Sequence, residues 1–237
     1  GNHMDEIYGC IDFLKDSEDP RLRVLFEPGT EAGGEYTGLD PMLNGSDQQE
    51  LVNAGMIARY NRTTMSRNQF FPGVMVNAAE VSFLKAEYYL KNGDDASAKA
   101  AYEEGIRQSI DFYYYVNSIS NDATVPVPDP ATEDEITAML ATDAVSWDAA
   151  ATQEGKIALI ANQKWIHFNI IQPYQNWAEV RRLDVPSLSF WQDNSSNQTL
   201  PPARWTIPGN EITFNGDNYN AVQSQDVLDN PIFWDVR

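Results

Sequence analysis

Two helical periods separated by a glycine constrain the fold of this chain more than any other feature. Small and apolar residues recur at spacings of three and four, which places them on one helix face: Val76, Ala79, Phe83, Ala86 and Leu90. Gly93 follows in the position of a C-terminal cap, and Asp94 or Asp95 then caps a second helix that extends to about Tyr115. Because so few residues join the two helices, the sequence predicts an antiparallel hairpin within residues 74–118.

The small and aromatic residues of this hairpin resemble the tetratricopeptide repeat. They are Ala86 and Tyr89 before the turn, Gly93-Asp94 at the turn, and Ala98, Tyr102 and Gly105-Ile106 after it. Small residues let the two helices cross closely, and an aromatic ring fills the groove between repeats. Lys85 stands where an apolar residue is usual. One repeat cannot bury its own apolar face, so stacked neighbours with degenerate sequences, or outside this chain, are expected.

The segment before the hairpin, residues 1–73, is predicted to be rich in loops. Turn-forming pairs such as Asp19-Pro20 and Asn44-Gly45 recur along it. A short amphipathic turn is predicted at residues 7–14, and a strand or extended piece at residues 22–26. A loop-rich segment of this length inside a folded protein usually carries function or subunit contacts.

The segment after the hairpin returns to helix over residues 131–183. Thr132 opens a capping box there. A long helix is predicted over residues 153–172, and Pro173 interrupts it before a last helix over residues 174–182. Residues 184–237 are predicted to be loop-rich again. The predicted fold class is therefore α, a tetratricopeptide-like helical-repeat core with long irregular loops.

The net charge of the chain argues against two classes of ligand. It is −19, from 35 acidic and 16 basic residues, whereas nucleic-acid binding needs clustered Lys and Arg and anionic lipid head groups attract positive charge. A neutral ligand such as a sugar is compatible with this balance. No stretch approaches the ~20 apolar residues of a membrane-spanning helix.

Cys10 is the only cysteine, so an intrachain disulfide is excluded. The preceding residues faintly resemble the lipid-attachment motif of bacterial lipoproteins. No basic region and no apolar region stand before them, however, as a secretory leader would require. Cys10 is therefore expected to be an ordinary half-buried residue.

Paired carboxylates could serve glycoside hydrolysis, which needs two carboxyl groups at a defined separation. The pairs are Glu80/Glu87 and Glu103/Glu104. Glu80 and Glu87 share a helix face but lie about 10.5 Å apart along the axis, which is awkward for that chemistry. The preferred interpretation is structural, with these carboxylates pairing with arginines or capping neighbouring helices.

Other titratable residues also favour structural roles. Arg182, together with Arg181, Glu179 and Asp184, predicts an intramolecular ion-pair network rather than an anion clamp. His167 lies on a helix with no visible Ser or Cys partner, and no metal-binding spacing is present. The Asn and Asp residues at 215–220 indicate a turn rather than a calcium loop. We therefore predict no catalytic residue, no metal site and no cofactor.

Separated segments along nearly the whole chain carry one resemblance. In order they are Asp19-Pro20-Arg21-Leu22, residues 79–87 (AEVSFLKAE), residues 105–109 (GIRQS), Gln163-Lys164-Trp165, residues 177–182 (WAEVRR), and a tail with Arg204, Pro208, Glu211, Asn215, Asn218-Tyr219 and Phe233-Trp234-Asp235. Their order and spacing resemble the C-terminal half of the SusD-like family of outer-membrane nutrient-binding lipoproteins of Bacteroidota-type bacteria. The chain departs from the family at Leu183-Asp184-Val185 and at Ile207, positions that shape loops.

The resemblance implies a function for the whole protein. A SusD-like protein sits at the cell surface as a lid on a SusC-like TonB-dependent transporter in the outer membrane. It captures oligosaccharide or polysaccharide, less often peptide, without cleaving it. Members are about twice as long as this chain, and their N-terminal half supplies the lipid anchor that alone contacts the membrane. The alternatives are a helical-repeat module that binds peptide or protein, a purely structural lid of the transporter complex, and a glycoside hydrolase.

Loop aromatics are the candidate sugar contacts, because aromatic faces stack on the apolar faces of sugar rings. Those outside the helical periods are Tyr36, Tyr60, Phe70, Phe71, Trp147, Trp191 and Trp205. Trp191 is preferred because polar residues follow it, among them Asn194. The predicted ligand-binding set is therefore Trp191, Asn194, Trp147, Tyr36 and Tyr60. Trp165 and Trp177 are predicted to be core residues, since they fall on helix faces.

Overall fold

The computed structural model describes residues 9–190 and 201–233, and most of this part of the chain is helical. The helices are α1 (Cys10–Asp16), α2 (Leu22–Leu25), α3 (Gly45–Asn53), α4 (Ala78–Lys91), α5 (Asp95–Ser118), α6 (Glu133–Leu140), α7 (Gln153–Phe168), α8 (Pro173–Leu183), α9 (Gly209–Phe214) and α10 (Gly216–Val222). Short 3₁₀ helices span Trp147–Ala149 and Gln223–Gln225. The predicted α class is confirmed.

Helices α4 and α5 form the predicted antiparallel hairpin. The side chain of Asn77 caps α4 through Glu80 N, and that of Asp94 caps α5 through Ser97 N. Gly93 has φ 79°, the left-handed conformation that a glycine adopts most easily at the end of a helix. The helices cross closely at Gly105, where a Cβ atom would lie 2.6 Å from the ring of Phe83. The small residues of the repeat pattern therefore do what the sequence predicted.

The later helices follow the sequence signals, with one boundary wrong. Thr132 and Glu135 form the predicted capping box of α6. Helix α7 was predicted to reach residue 172 but ends at Phe168, because Asn169 turns the chain with φ 37°. Pro173 occupies the first turn of α8, where its missing N–H costs nothing.

The N-terminal loop region, residues 9–38 and 44–73, differs from the prediction in two places. The strand predicted at 22–26 is wrong: α2 occupies most of it, and only Phe26–Glu27 is extended (β1). β1 pairs antiparallel with Arg59–Tyr60 (β2), with Phe26 opposite Tyr60. Helix α3 was not predicted, and it has no buried residue. An exposed helix needs no apolar period, so its sequence carries no such signal.

Buried charges join the loop region to the helices. Arg21 and Asp19 form an ion pair with fully buried side chains. The Arg21 guanidinium also donates to Ser109 Oγ on α5 at 2.9 Å and to Gln163 Oε1 on α7 at 2.6 Å. Apolar residues of both regions, such as Leu14 and Phe83, belong to one buried cluster. The loops are therefore part of the folded body.

A second compact unit comprises Pro41–Leu43 and, among the described residues, 189–190 and 201–233. In its described part, the Asp226 carboxylate accepts hydrogen bonds from Ile207 N at 2.7 Å and from the Tyr219 hydroxyl at 3.2 Å. Helices α9 and α10 are short and exposed. No helix among the described residues of the chain has both the length and the apolar character needed to cross a membrane.

Candidate functional site

Two segments of the loop region meet through their backbones. Glu31 N donates to Gly55 O at 3.0 Å, and Ala58 N donates to Thr37 O at 2.9 Å. A Cβ atom at Gly29 would lie 2.3 Å from Gly55 O, so only glycine allows this approach. Together with the pairing of β1 and β2, these contacts fix a surface of residues 26–38 and 54–62, here named the tyrosine loop face.

Tyr60 is anchored on both its ring and its hydroxyl. Its ring stacks on Phe26, with centroids 4.9 Å apart and an interplanar angle of 26°. The hydroxyl donates to Asn169 Oδ1 at 2.7 Å. Burial raises the pKa of the phenol, with a smaller contribution from nearby Cys10. The neutral, half-buried ring is therefore held in one orientation.

Tyr36 lies in the other segment of the tyrosine loop face. Its ring is half-buried against the core cluster, and its carbonyl accepts a hydrogen bond from Lys15 Nζ at 3.1 Å. Burial raises the pKa of its hydroxyl, while the charge of Arg23 opposes the rise. The hydrogen bond between Ala58 and Thr37 holds the segment that contains Tyr36 beside the segment that contains Tyr60. Two of the predicted sugar contacts thus come from segments that are hydrogen-bonded to one another.

Ion pairs cross the β1–β2 ribbon next to the Phe26–Tyr60 pair. The buried carboxylate of Glu27 accepts from Arg59 Nε at 2.9 Å and from Arg62 Nε at 2.7 Å. The Arg59 side chain is half-exposed beside Tyr60 in the chain. Because successive side chains of a strand point to opposite faces, this ion pair lies on the face of the β1–β2 ribbon opposite the Tyr60 ring.

A second candidate surface lies between α4 and α8. Its lining residues are Leu84, Glu87, Tyr88, Lys91, Glu179 and Arg182, around a cavity of about 320 Å³. We name it the α4–α8 groove. Tyr88 forms an exposed wall, with 64% of its surface accessible. Sequence reasoning missed this groove, although the spacing of Leu84, Tyr88 and Lys91 by four and three places them on one helix face.

An ion-pair network forms the floor of the groove. Arg182 bridges both oxygens of Glu87 at 2.7 Å and also pairs with Glu179 at 2.7 Å. Lys164, 1% exposed, lies beneath and donates to Glu179 at 2.8 Å. Burial raises the pKa of Glu87, but hydrogen bonds from Arg182 and Lys91 outweigh it and lower the value to about 2. The structural roles predicted for Glu87 and for the pairing of Arg182 with Glu179 are confirmed.

Similarity to known proteins identifies the family. The SusD-like family, described as starch-binding and associating with the outer membrane, matches residues 8–208. The chain belongs to this SusD-like family. No curated protein matches the SusD-like chain closely enough to count as a relative.

Solved structures share its fold. An outer-membrane protein from Bacteroides vulgatus, described in connection with nutrient binding, matches with a TM-score of 0.77 at 21% identity, over 98% of this chain and 53% of its own. A SusD homologue from Bacteroides fragilis gives 0.77 at 22%, over 96% and 51%. A chitin-binding protein gives 0.70 at 24%, over 96% and 49%. At these identities the likeness establishes the fold alone, and this chain spans about half the length of each structure.

Trp147 is not the exposed loop aromatic that the sequence predicted. It is 2% exposed in the SusD-like chain, its ring lies 5.2 Å from that of Tyr102, and Lys156 Nζ lies 5.2 Å above its centroid. Its indole N–H donates to Asp95 at 3.4 Å. These contacts leave no ring face for a ligand, so the expectation for Trp147 is wrong.

Three other tryptophans with a predicted role are Trp165, Trp177 and Trp191, whereas the loop residue Trp205 is 90% exposed. Trp191 and Asn194, the preferred predicted contacts, lie outside the described residues. Trp177 was predicted to be core but is 39% exposed, because it occupies the outer side of α8, whereas Trp165 packs half-buried against the core. Tyr36 and Tyr60 are thus the predicted contacts whose segments are paired with one another in the described residues.

The surroundings of His167, Cys10 and the acidic side chains bear on catalysis and metal binding in the described residues. No group of three or more His, Cys, Asp or Glu side chains there could hold a metal ion. His167 is fully buried, and its Nδ1 lies 2.9 Å from Ser109 Oγ. Burial raises the pKa of the Cys10 thiol to about 12, which makes it a poor nucleophile.

Proposed function

We propose that this SusD-like chain binds oligosaccharide or polysaccharide at the cell surface without cleaving it. Membership of a family described as starch-binding supports the ligand class, and a chitin-binding protein among the structures of the same fold agrees with it. The strongly acidic chain suits neutral sugars, which are held by stacking and hydrogen bonds rather than by charge.

The tyrosine loop face is the proposed binding surface. The observation that supports this assignment is that Tyr36 and Tyr60 come from separate segments joined by a backbone hydrogen bond and are both half-buried against the core. Trp191 and Asn194 remain proposed contacts from the sequence.

The proposed setting is a transporter complex of the outer membrane. The protein would be lipid-anchored at the cell surface and pass its ligand to a SusC-like TonB-dependent transporter. The family description, which associates its members with the outer membrane, supports this location. Reconstitution of the chain with such a transporter, followed by size-exclusion chromatography, tests the partnership.

Affinity electrophoresis tests the ligand. The chain is run through gels that contain neutral plant, microbial or mucin polysaccharides, alongside Tyr36→Ala, Tyr60→Ala and Tyr60→Phe. We expect retardation in at least one gel, lost in both alanine variants and largely kept in Tyr60→Phe, which retains the ring. Tyr115→Ala, which removes an exposed tyrosine from α5, is the matched control and should migrate as the parent does.

Other outcomes would redirect the assignment. If no polysaccharide retards the chain, the glycan hypothesis fails for that panel, and the peptide-binding or structural-lid alternative takes its place. If retardation persists in the tyrosine variants but disappears in Trp191→Ala, glycan binding stands and the tyrosine loop face is the wrong surface. Release of reducing sugar during incubation would contradict binding without cleavage.

A further inference from the structure

The α4–α8 groove concentrates positive charge in a strongly negative chain. The lining cations Lys91 and Arg182 balance the lining carboxylates Glu87 and Glu179, and the buried Lys164 beneath them brings the local charge to +1 in a chain of net charge −19. The two most accessible of these charges, on Lys91 and Arg182, are both positive. A ligand entering the groove therefore meets cations first.

The ion pairs do not use all of the N–H donors that face the groove. Among the described residues, Lys91 donates one hydrogen bond, to Glu87 at 2.7 Å, although an ammonium carries three N–H groups. Nη1 of Arg182 donates one of its two N–H groups, to Glu87. Both oxygens of Glu87 accept two bonds each, so this carboxylate is already saturated by the cations. The unused groups are donors, which is what an incoming anion requires.

The wall beside Lys91 is aromatic and aliphatic. Tyr88 and Leu84 are exposed on the face of α4 that also carries Lys91. The cavity of about 320 Å³ lies at the small end of the ~300–1,000 Å³ range of ligand sites. An aromatic wall beside free N–H donors is suited to a ring that is apolar on one face and carries a negative substituent.

We propose that the α4–α8 groove binds a negatively charged sugar unit, whose ring packs on Tyr88 and whose anionic group accepts hydrogen bonds from Lys91 and Arg182. The site is separate from the tyrosine loop face and rests on the proposed glycan-binding function for its ligand class. Packing alone accounts for Lys164 and Glu87, which are buried and neutralise one another. Packing does not account for Tyr88 and Lys91, which are both exposed at the same cavity; the side chain of Lys91 is 54% exposed.

Isothermal titration calorimetry of the full chain tests the proposal with three trisaccharides: neutral galactose, galacturonate and sulfated galactose. We expect one of the two charged ligands to bind about tenfold more tightly than the neutral one, the difference that one charge-assisted hydrogen bond makes. The preferred ligand identifies the anionic group as carboxylate or sulfate. Its affinity should fall as salt is raised, because the exposed lysine is screened.

Matched variants locate the binding. Lys91→Gln should lower the affinity for the charged ligand about tenfold, and Tyr88→Ala should lower it as well. Lys85→Gln makes the same change of charge on an exposed position of α4 outside the groove and should leave the affinity unchanged. Thermal unfolding of each variant checks that it is folded. Lys91→Gln should fold as the parent does, because Arg182 and Lys164 still pair with Glu87.

The outcomes separate this inference from the proposed function. Equal affinity for charged and neutral ligands, or an unchanged affinity in Lys91→Gln, overturns the groove site. If neutral sugar still binds in a Tyr36-dependent manner, the proposed function survives that result. If charged sugar binds through Lys91 while Tyr36→Ala has no effect on any glycan, the groove stands and the tyrosine loop face fails. If no sugar binds at all, both proposals fail.

Discussion

The α4–α5 hairpin and the N-terminal loop region are held by different kinds of contact. In the hairpin, side-chain caps satisfy the helix ends, and apolar side chains such as Phe83 and Tyr102 fill the space between the helices. In the loop region, Gly29 lets two backbones approach, and the buried Arg21–Asp19 pair ties the chain to α5 and α7. The hairpin is therefore held by many apolar contacts, each of which contributes a part of its stability. The loop region depends instead on a few specific contacts that are difficult to replace.

Removal of Arg21 should give the largest effect. Arg21→Met leaves Asp19 buried and without its cation, which costs about 3–5 kcal/mol for a pair of this kind. It also removes the donors to Ser109 and Gln163. Urea denaturation measures the loss as a lower midpoint.

The matched control replaces both members of the pair. Asp19→Leu/Arg21→Met removes the buried charges together and should be less destabilised than Arg21→Met alone. If Arg21→Met were as stable as the parent, the buried ion pair would not be what holds the loop region to the helices.

Two glycines compare the regions directly. A Cβ at Gly29 meets backbone atoms, Gly55 O at 2.3 Å and Met56 C at 2.6 Å, so Gly29→Ala should cost about 1–3 kcal/mol. A Cβ at Gly105 meets the Phe83 side chain, and alanine gains about 1 kcal/mol in helix propensity there, so Gly105→Ala should cost less. Thermal unfolding gives the order.

Gly73 supplies the control for this pair, because a Cβ there meets nothing within 4 Å. Gly73→Ala should leave the unfolding temperature nearly unchanged. A smaller loss at Gly29 than at Gly105 would show that the loop backbones can separate more easily than the helices can repack.

Acid should weaken the helical interior through His167. Burial, with a smaller effect of the Arg21 charge, lowers the pKa of its imidazole to about 3 from an ordinary 6.5. The amide N–H of Asn77 donates to Nε2, so the neutral ring carries its proton on Nδ1 and donates it to Ser109. At mildly acidic pH the unfolded chain therefore binds a proton at His167 that the folded chain does not bind.

The sign follows from this difference in proton binding. Above pH 6.5 His167 is neutral in both the folded and the unfolded chain, so it does not make stability depend on pH. Between pH 6.5 and 3 only the unfolded chain binds a proton at His167, so the free energy of unfolding falls by about 1.4 kcal/mol for each pH unit. Urea midpoints from pH 7 to pH 5 measure the slope. His167→Gln should flatten it, and an identical slope in that variant would assign the acid sensitivity to other groups.

The accuracy of the sequence predictions follows the same division. The hairpin, the glycine at its turn and the capping box at Thr132 were predicted because their signals lie within a few residues. Arg21 meets Ser109 and Gln163 across 88 and 142 residues, which no local period records. Trp147 was expected to be exposed because it lies in a connection between helices. Lys156 packs over its ring, and the side chain is as buried as a residue in the interior of a helix.

The candidate site was predicted only as a set of residue types. Tyr36 and Tyr60 were chosen because they are aromatic and lie outside helical periods. The pairing of their segments depends on the contact of Gly29 with Gly55, which lie about 25 residues apart in the chain. The α4–α8 groove was missed because Arg182 reaches Glu87 only once α8 has packed beside α4.

Two helix caps give the smallest predicted effect and the finest form of the comparison. Thr132→Ala removes the capping box of α6, which packs Ile136 and Met139 into the core, so it should lower the free energy of unfolding by about 1 kcal/mol. Asn44 caps α3 through Ser46 N and Asp47 N, but α3 buries no side chain. Asn44→Ala should therefore speed amide exchange within α3 while the unfolding midpoint stays almost constant. Hydrogen exchange read beside urea denaturation separates the two responses, and an equal fall in both midpoints would mean that α3 unfolds together with the helical body.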